Sequence, residues 1–137
     1  MTVRTEAKID GAQIDAALAA HAEWKNRLSK AATDKNRDLP VGTICRDDRC
    51  AFGEWFYSRP KVEQLQPCPH QVRRLHAAFH MMAGNIALDI AVGDFQVALD
   101  KIHSASFRRM SDDLATALSA WKSMNDTSQV KRPVESR

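Results

Sequence analysis

PHQVRRLHAAFHMMAGNIALDIAV, residues 69–92, decides how the chain folds. Val72, Phe79, Ala83, Ala87 and Ile90 recur at the spacing of one helix face, and His76 and His80 fall in the same stripe. Pro69 suits the first turn of a helix. Gly93 reads as the residue that closes it, and Asp94 as the N-cap of the next. One helical turn separates His76 from His80, so both imidazoles leave the same face.

Working outward, an alanine-rich segment from Ile9 to about Ala32 carries Ile14, Leu18, His21 and Leu28 at helical spacing, which points His21 inward. Thr33 to Arg49 holds Asp34, Asn36, Asp38, Pro40, Gly42 and Asp47-Asp48, the residues of a long loop. A short helix is expected from Ala51 to Ser58, ended by Arg59-Pro60. Gly53 inside it costs about 1 kcal/mol against alanine, which implies a close neighbour there. The last helix is expected from Phe95 to about Met124, with Val97, Ala98, Ile102, Ala105, Leu114, Ala117, Leu118 and Trp121 facing in. The sum is an all-α, antiparallel four-helix-type bundle, with three long helices and one short helix after a long loop. Residues 1–8 read as a flexible lead-in, 9–124 as the helical domain and 125–137 as a flexible tail.

The chain has 137 residues and a net charge of +3, with acids and bases interspersed. That length fits one domain with a core of its own. Arg73-Arg74 and Arg108-Arg109 are pairs rather than a basic stripe, so nucleic acid is not the expected partner. The three cysteines, Cys45, Cys50 and Cys68, are irregularly spaced and odd in number, unlike a secreted disulfide framework. Met1 to Asp10 is polar, and no apolar run approaches the roughly 20 residues that span a bilayer. A cytoplasmic setting with free thiols is expected.

His21, Cys50, His76 and His80 together supply three imidazoles and a thiolate, a full tetrahedral set for Zn2+. Each has a simpler reading. A histidine pair on a helix can be polar core, a lone buried histidine can serve a carbonyl, and a buried cysteine can be filler. Burial in an apolar stripe would make an unpartnered imidazole costly, which favours the metal. Cys50 opens the short helix, where the helix dipole favours thiolate. Cys45 lies in the loop and Cys68 between two prolines, so both have weaker claims. His70 and His103 read as surface or boundary residues.

His21, then Cys50-Ala51-Phe52-Gly53-Glu54-Trp55-Phe56-Tyr57, then His76-Ala77-Ala78-Phe79-His80 resemble the chemoreceptor zinc-binding domain, called CZB. The resemblance runs over roughly residues 10–124. It implies a four-helix-type fold with one zinc per protomer, held by His21, Cys50, His76 and His80. It also implies a homodimer. The implied role is regulatory, in bacterial chemotaxis or cyclic-di-GMP control, on a chemoreceptor or diguanylate cyclase in cis or in trans. Some relatives resemble redox sensors in which an oxidant attacks the zinc-bound cysteine, so a labile zinc–cysteine link is a candidate zinc or redox switch. The chain carries no signalling or cyclase segment of its own, which fits either a free-standing regulator or an excised domain. Trp24, Trp55 and Leu88 are candidate exposed apolar residues for a partner.

Four protein donors leave no open position on the ion, which argues against an enzyme. A hemerythrin-like di-iron bundle needs a His-x-x-x-Glu pattern, but Lys25 follows His21 and Phe107 follows His103 at that spacing. A phosphotransfer bundle needs an exposed histidine, and His21, His76 and His80 lie on apolar stripes. A metal-free helical interaction module is the main alternative. A thiol enzyme using Cys50 lacks an orienting third group.

Overall fold

The computed structural model describes residues 11–135, with side chains through residue 124. The elements are α1 Gly11–Thr33, α2 Val41–Ile44, α3 Ala51–Tyr57, α4 Lys61–Gln64, α5 Pro67–Ala91, α6 Phe95–Ile102 and α7 Ala105–Glu135. There is no strand among the described residues, and the helices pack on one another as an all-α bundle. The expected lead-in lies outside the described residues. The backbone of α7 continues into the stretch expected to be a tail.

α5 is the axis of the assembly. Its seven inward positions, Val72, His76, Phe79, His80, Ala83, Ala87 and Ile90, are all buried, as the periodicity requires. It packs along α7 and also holds α2, α6 and α1. Pro67 and Pro69 sit in its first turn, where the missing N–H groups are not needed. At its other end Gly93 takes φ +92. The Asp94 amide donates to Asp89 O at 2.8 Å and the Gly93 amide to Ile90 O at 3.0 Å, the paired bonds of a Schellman stop. Asp94 occupies the next N-cap position without a side-chain capping bond.

The single last helix expected from Phe95 to Met124 is two helices, α6 and α7, broken at His103-Ser104. The cause is legible in the core. Ile102 and Phe107 are both fully buried, yet five residues apart on an unbroken helix would set them about 140° apart. The break rotates α7 so that Phe107 stacks on Phe79, with ring centroids 5.9 Å apart. Ser104 caps the new start: the Phe107 amide donates to Ser104 Oγ at 3.2 Å, and Ser104 Oγ donates to Lys101 O at 2.7 Å. This rotation turns Ala105, expected inside, outward; Val97 on α6, also expected inside, is exposed beside the buried Ala98. Ser104→Ala is expected to cost about 1 kcal/mol, the usual value of an N-cap. A thermal melt reads this as a loss of roughly 3–5 °C, and an unchanged melting temperature contradicts the capping role.

The long loop is not structureless throughout. Val41–Ile44 makes one helical turn that places Ile44 in the core; beyond that loop, between α3 and α5, Lys61–Gln64 makes another. Gly84 explains how α2 sits so close: a Cβ there would lie 2.4 Å from Cys45 Cβ. Among the described residues no helix is long and apolar enough to cross a membrane.

Candidate metal centre

The four residues singled out in the sequence meet at one point between α1, α3 and α5. His21 comes from the middle of α1, His76 and His80 from successive turns of α5, and Cys50 from the N-cap of α3. His76 Nε2 lies 3.0 Å from His21 Nε2, 3.1 Å from His80 Nε2 and 3.3 Å from Cys50 Sγ. His21 Nε2 and His80 Nε2 are 3.3 Å apart. All four donor atoms fall within 4.8 Å of one another. The three imidazoles are buried and Cys50 is half-buried. Phe52 and Phe79 wall the site with edge contacts to His21 at 6.5 and 5.2 Å.

The second nitrogens show which way the protons point. His21 Nδ1–H donates to Ala17 O at 2.7 Å, and His80 Nδ1–H donates to Ile44 O at 2.9 Å. A carbonyl can only accept, so these two rings carry their proton on Nδ1 and turn a bare lone pair on Nε2 toward the shared point. Bare imidazole lone pairs at such distances repel unless a cation lies among them. Protonation is a poor remedy. Burial, with the other imidazoles adding to it, brings His76 down to about 2. Burial brings His21 down to about 4, against the opposing pull of the Ala17 carbonyl. His80 is also lowered by burial, with the Ile44 carbonyl and Asp47 opposing.

The donor set fits a zinc ion. Tetrahedral Zn–N bonds of about 2.0–2.1 Å put nitrogen ligands roughly 3.3 Å apart, close to the spacing here. Nitrogen and sulfur donors of this kind suit Zn2+ rather than Mg2+ or Ca2+. The carbonyls of Ala17 and Ile44 supply the outer partners that fix ligand orientation.

A family model described as "Chemoreceptor zinc-binding domain" matches residues 21–87. The matched stretch, somewhat under half of the 137-residue chain, is similar to this family. The match begins at His21, takes in Cys50, His76 and His80, and stops at Ala87, a narrower span than residues 10–124. No curated protein and no solved structure matches the chain.

Cys50 Sγ accepts from the Gly53 amide at 3.3 Å, so the helix start does touch the sulfur. The expectation that it favours thiolate is nevertheless reversed in the metal-free site. Burial pushes the Cys50 thiol up by more than the amides of Gly53 and Phe52 pull it down. A bound cation would reverse that balance. Cys45 instead donates to Gly42 O at 3.4 Å, and Cys68 lies against Met124 Sδ at 3.4 Å. His70 and His103 are exposed, as expected.

Two of the three candidate exposed apolar residues are not free. Trp24 and Trp55 pack on the core. Trp24 lies under Arg27, and Trp55 meets Trp121 at 5.9 Å. Leu88 is exposed. Asp47 was missed. Its carboxylate lies 4.0 Å from His76 Nδ1, and an aspartate three residues before a cysteine in a loop of mixed charge gives no signal in a sequence.

Proposed function

We propose that His21, Cys50, His76 and His80 hold one zinc ion, and that the domain serves as a regulatory centre in bacterial signalling, in chemotaxis or cyclic-di-GMP control. The observation that carries this reading is the convergence of three imidazole Nε2 atoms at 3.0–3.3 Å, two of them bare, in a buried pocket that disfavours protons. In a metal-free helical module one proton on His76 Nε2 or the Cys50 thiol could bridge one pair, but the carbonyl-locked rings of His21 and His80 would still set bare Nε2 lone pairs 3.3 Å apart. Four protein donors close the coordination shell, which suits a regulator rather than a hydrolase. When bound, the ion supplies the charge that keeps Cys50 as thiolate and cross-links α3 to α1 and α5.

Cys50 is the labile member of the set. It is half-buried and caps a seven-residue helix, whereas the three histidines sit within helices of 23 and 25 residues. Letting go of Cys50 frees α3 and the loop before it while the histidines stay in place. That motion is the switch by which metal state or thiol oxidation reaches a partner. The partner proposed is a chemoreceptor or diguanylate cyclase in cis or in trans, with a homodimer as the working unit in the cytoplasm.

The test is metal content together with its pH dependence. Purified protein should carry one zinc per chain. Because burial keeps the imidazoles neutral, the proton displaced near neutral pH is that of Cys50. Zinc affinity should therefore rise about tenfold per pH unit between pH 6 and 8, one proton's worth. Cys50→Ala should bind more weakly, with almost no slope. A steeper wild-type slope, of two or more protons, would show the imidazoles charged in the metal-free protein. Failure to take up zinc at all overturns the reading.

A further inference from the structure

The outer nitrogens of the three imidazoles are not treated alike. His21 and His80 are locked by backbone carbonyls, whereas among the described residues His76 Nδ1 makes no hydrogen bond to a carbonyl. It faces Asp47 Oδ2 at 4.0 Å, about 1 Å beyond ordinary hydrogen-bond length. Yet His76 is the ring whose Nε2 lies within 3.3 Å of every other donor atom in the set.

Asp47 is held in place from two directions. Its carbonyl oxygen presses on Gly53, where a Cβ would sit 1.8 Å away. The same carbonyl lies 3.9 Å from Cys50 Sγ. Its carboxylate accepts from the Tyr57 hydroxyl. Burial, then Asp47 itself, pushes the Tyr57 phenol up to about 12, so the hydroxyl keeps its proton to donate. Tyr57 ends α3, the helix that Cys50 begins. On the outer side, Asp47 and Tyr57 line a cleft of about 690 Å³ between α5 and α7, alongside Arg73, Arg109, Met82 and Met110.

We propose that Asp47, held by Tyr57, is the positioning residue for His76, and that the Asp47–Tyr57 pair couples the metal centre to the α5–α7 cleft. The inference rests on the zinc reading above. A carboxylate behind a ligating imidazole fixes the ring and raises its basicity. Here that carboxylate also belongs to the loop leading to Cys50, so a shift at the thiol end of the site reaches the phenol at the cleft.

Tyr57 is the only tyrosine in the chain, which gives a one-signal readout. Full-length protein carrying 13Cζ-tyrosine is titrated with zinc, while affinity is measured by chelator competition. In the wild type the single phenol resonance should move and saturate at one equivalent. Asp47→Asn should weaken zinc roughly 10- to 100-fold, and zinc should no longer move the resonance, while the metal-free melting temperature stays close to wild type. Tyr57→Phe keeps the ring that packs on Phe56 and should weaken zinc about threefold to tenfold, by loosening the carboxylate. If the wild type binds zinc with the phenol resonance unmoved, or if both variants bind like wild type, the positioning role is wrong and the metal site stands. If the wild type takes no zinc, both readings fail.

Discussion

Zinc at a free concentration a thousandfold above its Kd raises the melting temperature of the wild-type protein by about 10–20 °C, and at the same zinc concentration His76→Ala cuts the rise to about a third. The first half follows from mass action, because a ligand that binds only the folded chain at that excess contributes about 4 kcal/mol. The second follows from geometry, since His76 Nε2 is 3.0–3.3 Å from each of the other three donor atoms. Structural zinc sites release about 10–16 kcal/mol on binding. Divided over four donors that is roughly 3 kcal/mol each, or about two orders of magnitude in affinity. Cys50→Ala is expected to lose less than His76→Ala or His80→Ala, because the imidazoles stand on the long helix and the thiol on the short one. Competition against a chelator of known affinity measures all three. A His76→Ala protein that still gains the full stabilisation, or that binds no worse than Cys50→Ala, contradicts this arrangement.

The metal-free protein has its own pH dependence. His21 and His76 titrate lower in the folded chain than the usual imidazole near 6.5. The unfolded chain therefore binds more protons below that value. Each such imidazole removes stability at up to about 1.4 kcal/mol per pH unit as the pH falls from roughly 6.5 toward the folded value. Above pH 7 neither histidine contributes to the slope. Acid thus weakens the bundle and zinc retention together.

Much of this was legible from the α5 stripe alone. Every one of its seven inward positions is buried, because a 25-residue helix with apolar residues at one spacing can pack only one way. The meeting of His21, His76 and His80 was legible for the same reason: histidines placed on buried faces must meet something. Gly53 announced a close neighbour, and the neighbour is the Asp47 carbonyl. The break at Ser104 was hidden because α6 and α7 are each helical in propensity; only the five-residue step from Ile102 to Phe107 marks it. Gly84 was equally silent, since a glycine in a good helix does not reveal that Cys45 lies against it. The protonation of Cys50 was misread because the amide contact is local and visible in sequence, while burial depends on the whole fold. Trp24 and Trp55 were misplaced because their cover comes from Arg27 and from Trp121, the latter 66 residues beyond Trp55.

Gly53→Ala should be among the most damaging single changes in the chain, and its control is Gly42→Ala. An added Cβ at position 53 meets Asp47 O at 1.8 Å, Asp47 C at 2.8 Å and Asp48 Cα at 3.1 Å. All three are backbone atoms, so no side chain can swing aside to make room. Nor can the loop retreat freely. Asp47 faces His76, and three residues later Cys50 caps α3 through the Gly53 amide at 3.3 Å. Separating the two backbones breaks that cap and pulls the thiol away from the imidazoles. The expected cost is of order 3–5 kcal/mol, in the range of severe overpacking, with zinc affinity falling alongside stability. Gly42 is also helical, but a Cβ there meets nothing within 4 Å. Alanine at 42 should leave stability unchanged or raise it by up to about 1 kcal/mol, by restricting the unfolded chain. Thermal melts of the two variants, each with zinc and with chelator, separate a general intolerance of alanine from a specific collision. Comparable melting temperatures for the two would show that α3 and the Asp47 loop are not in contact, and with that contact would go the geometry that brings Cys50 to the histidines.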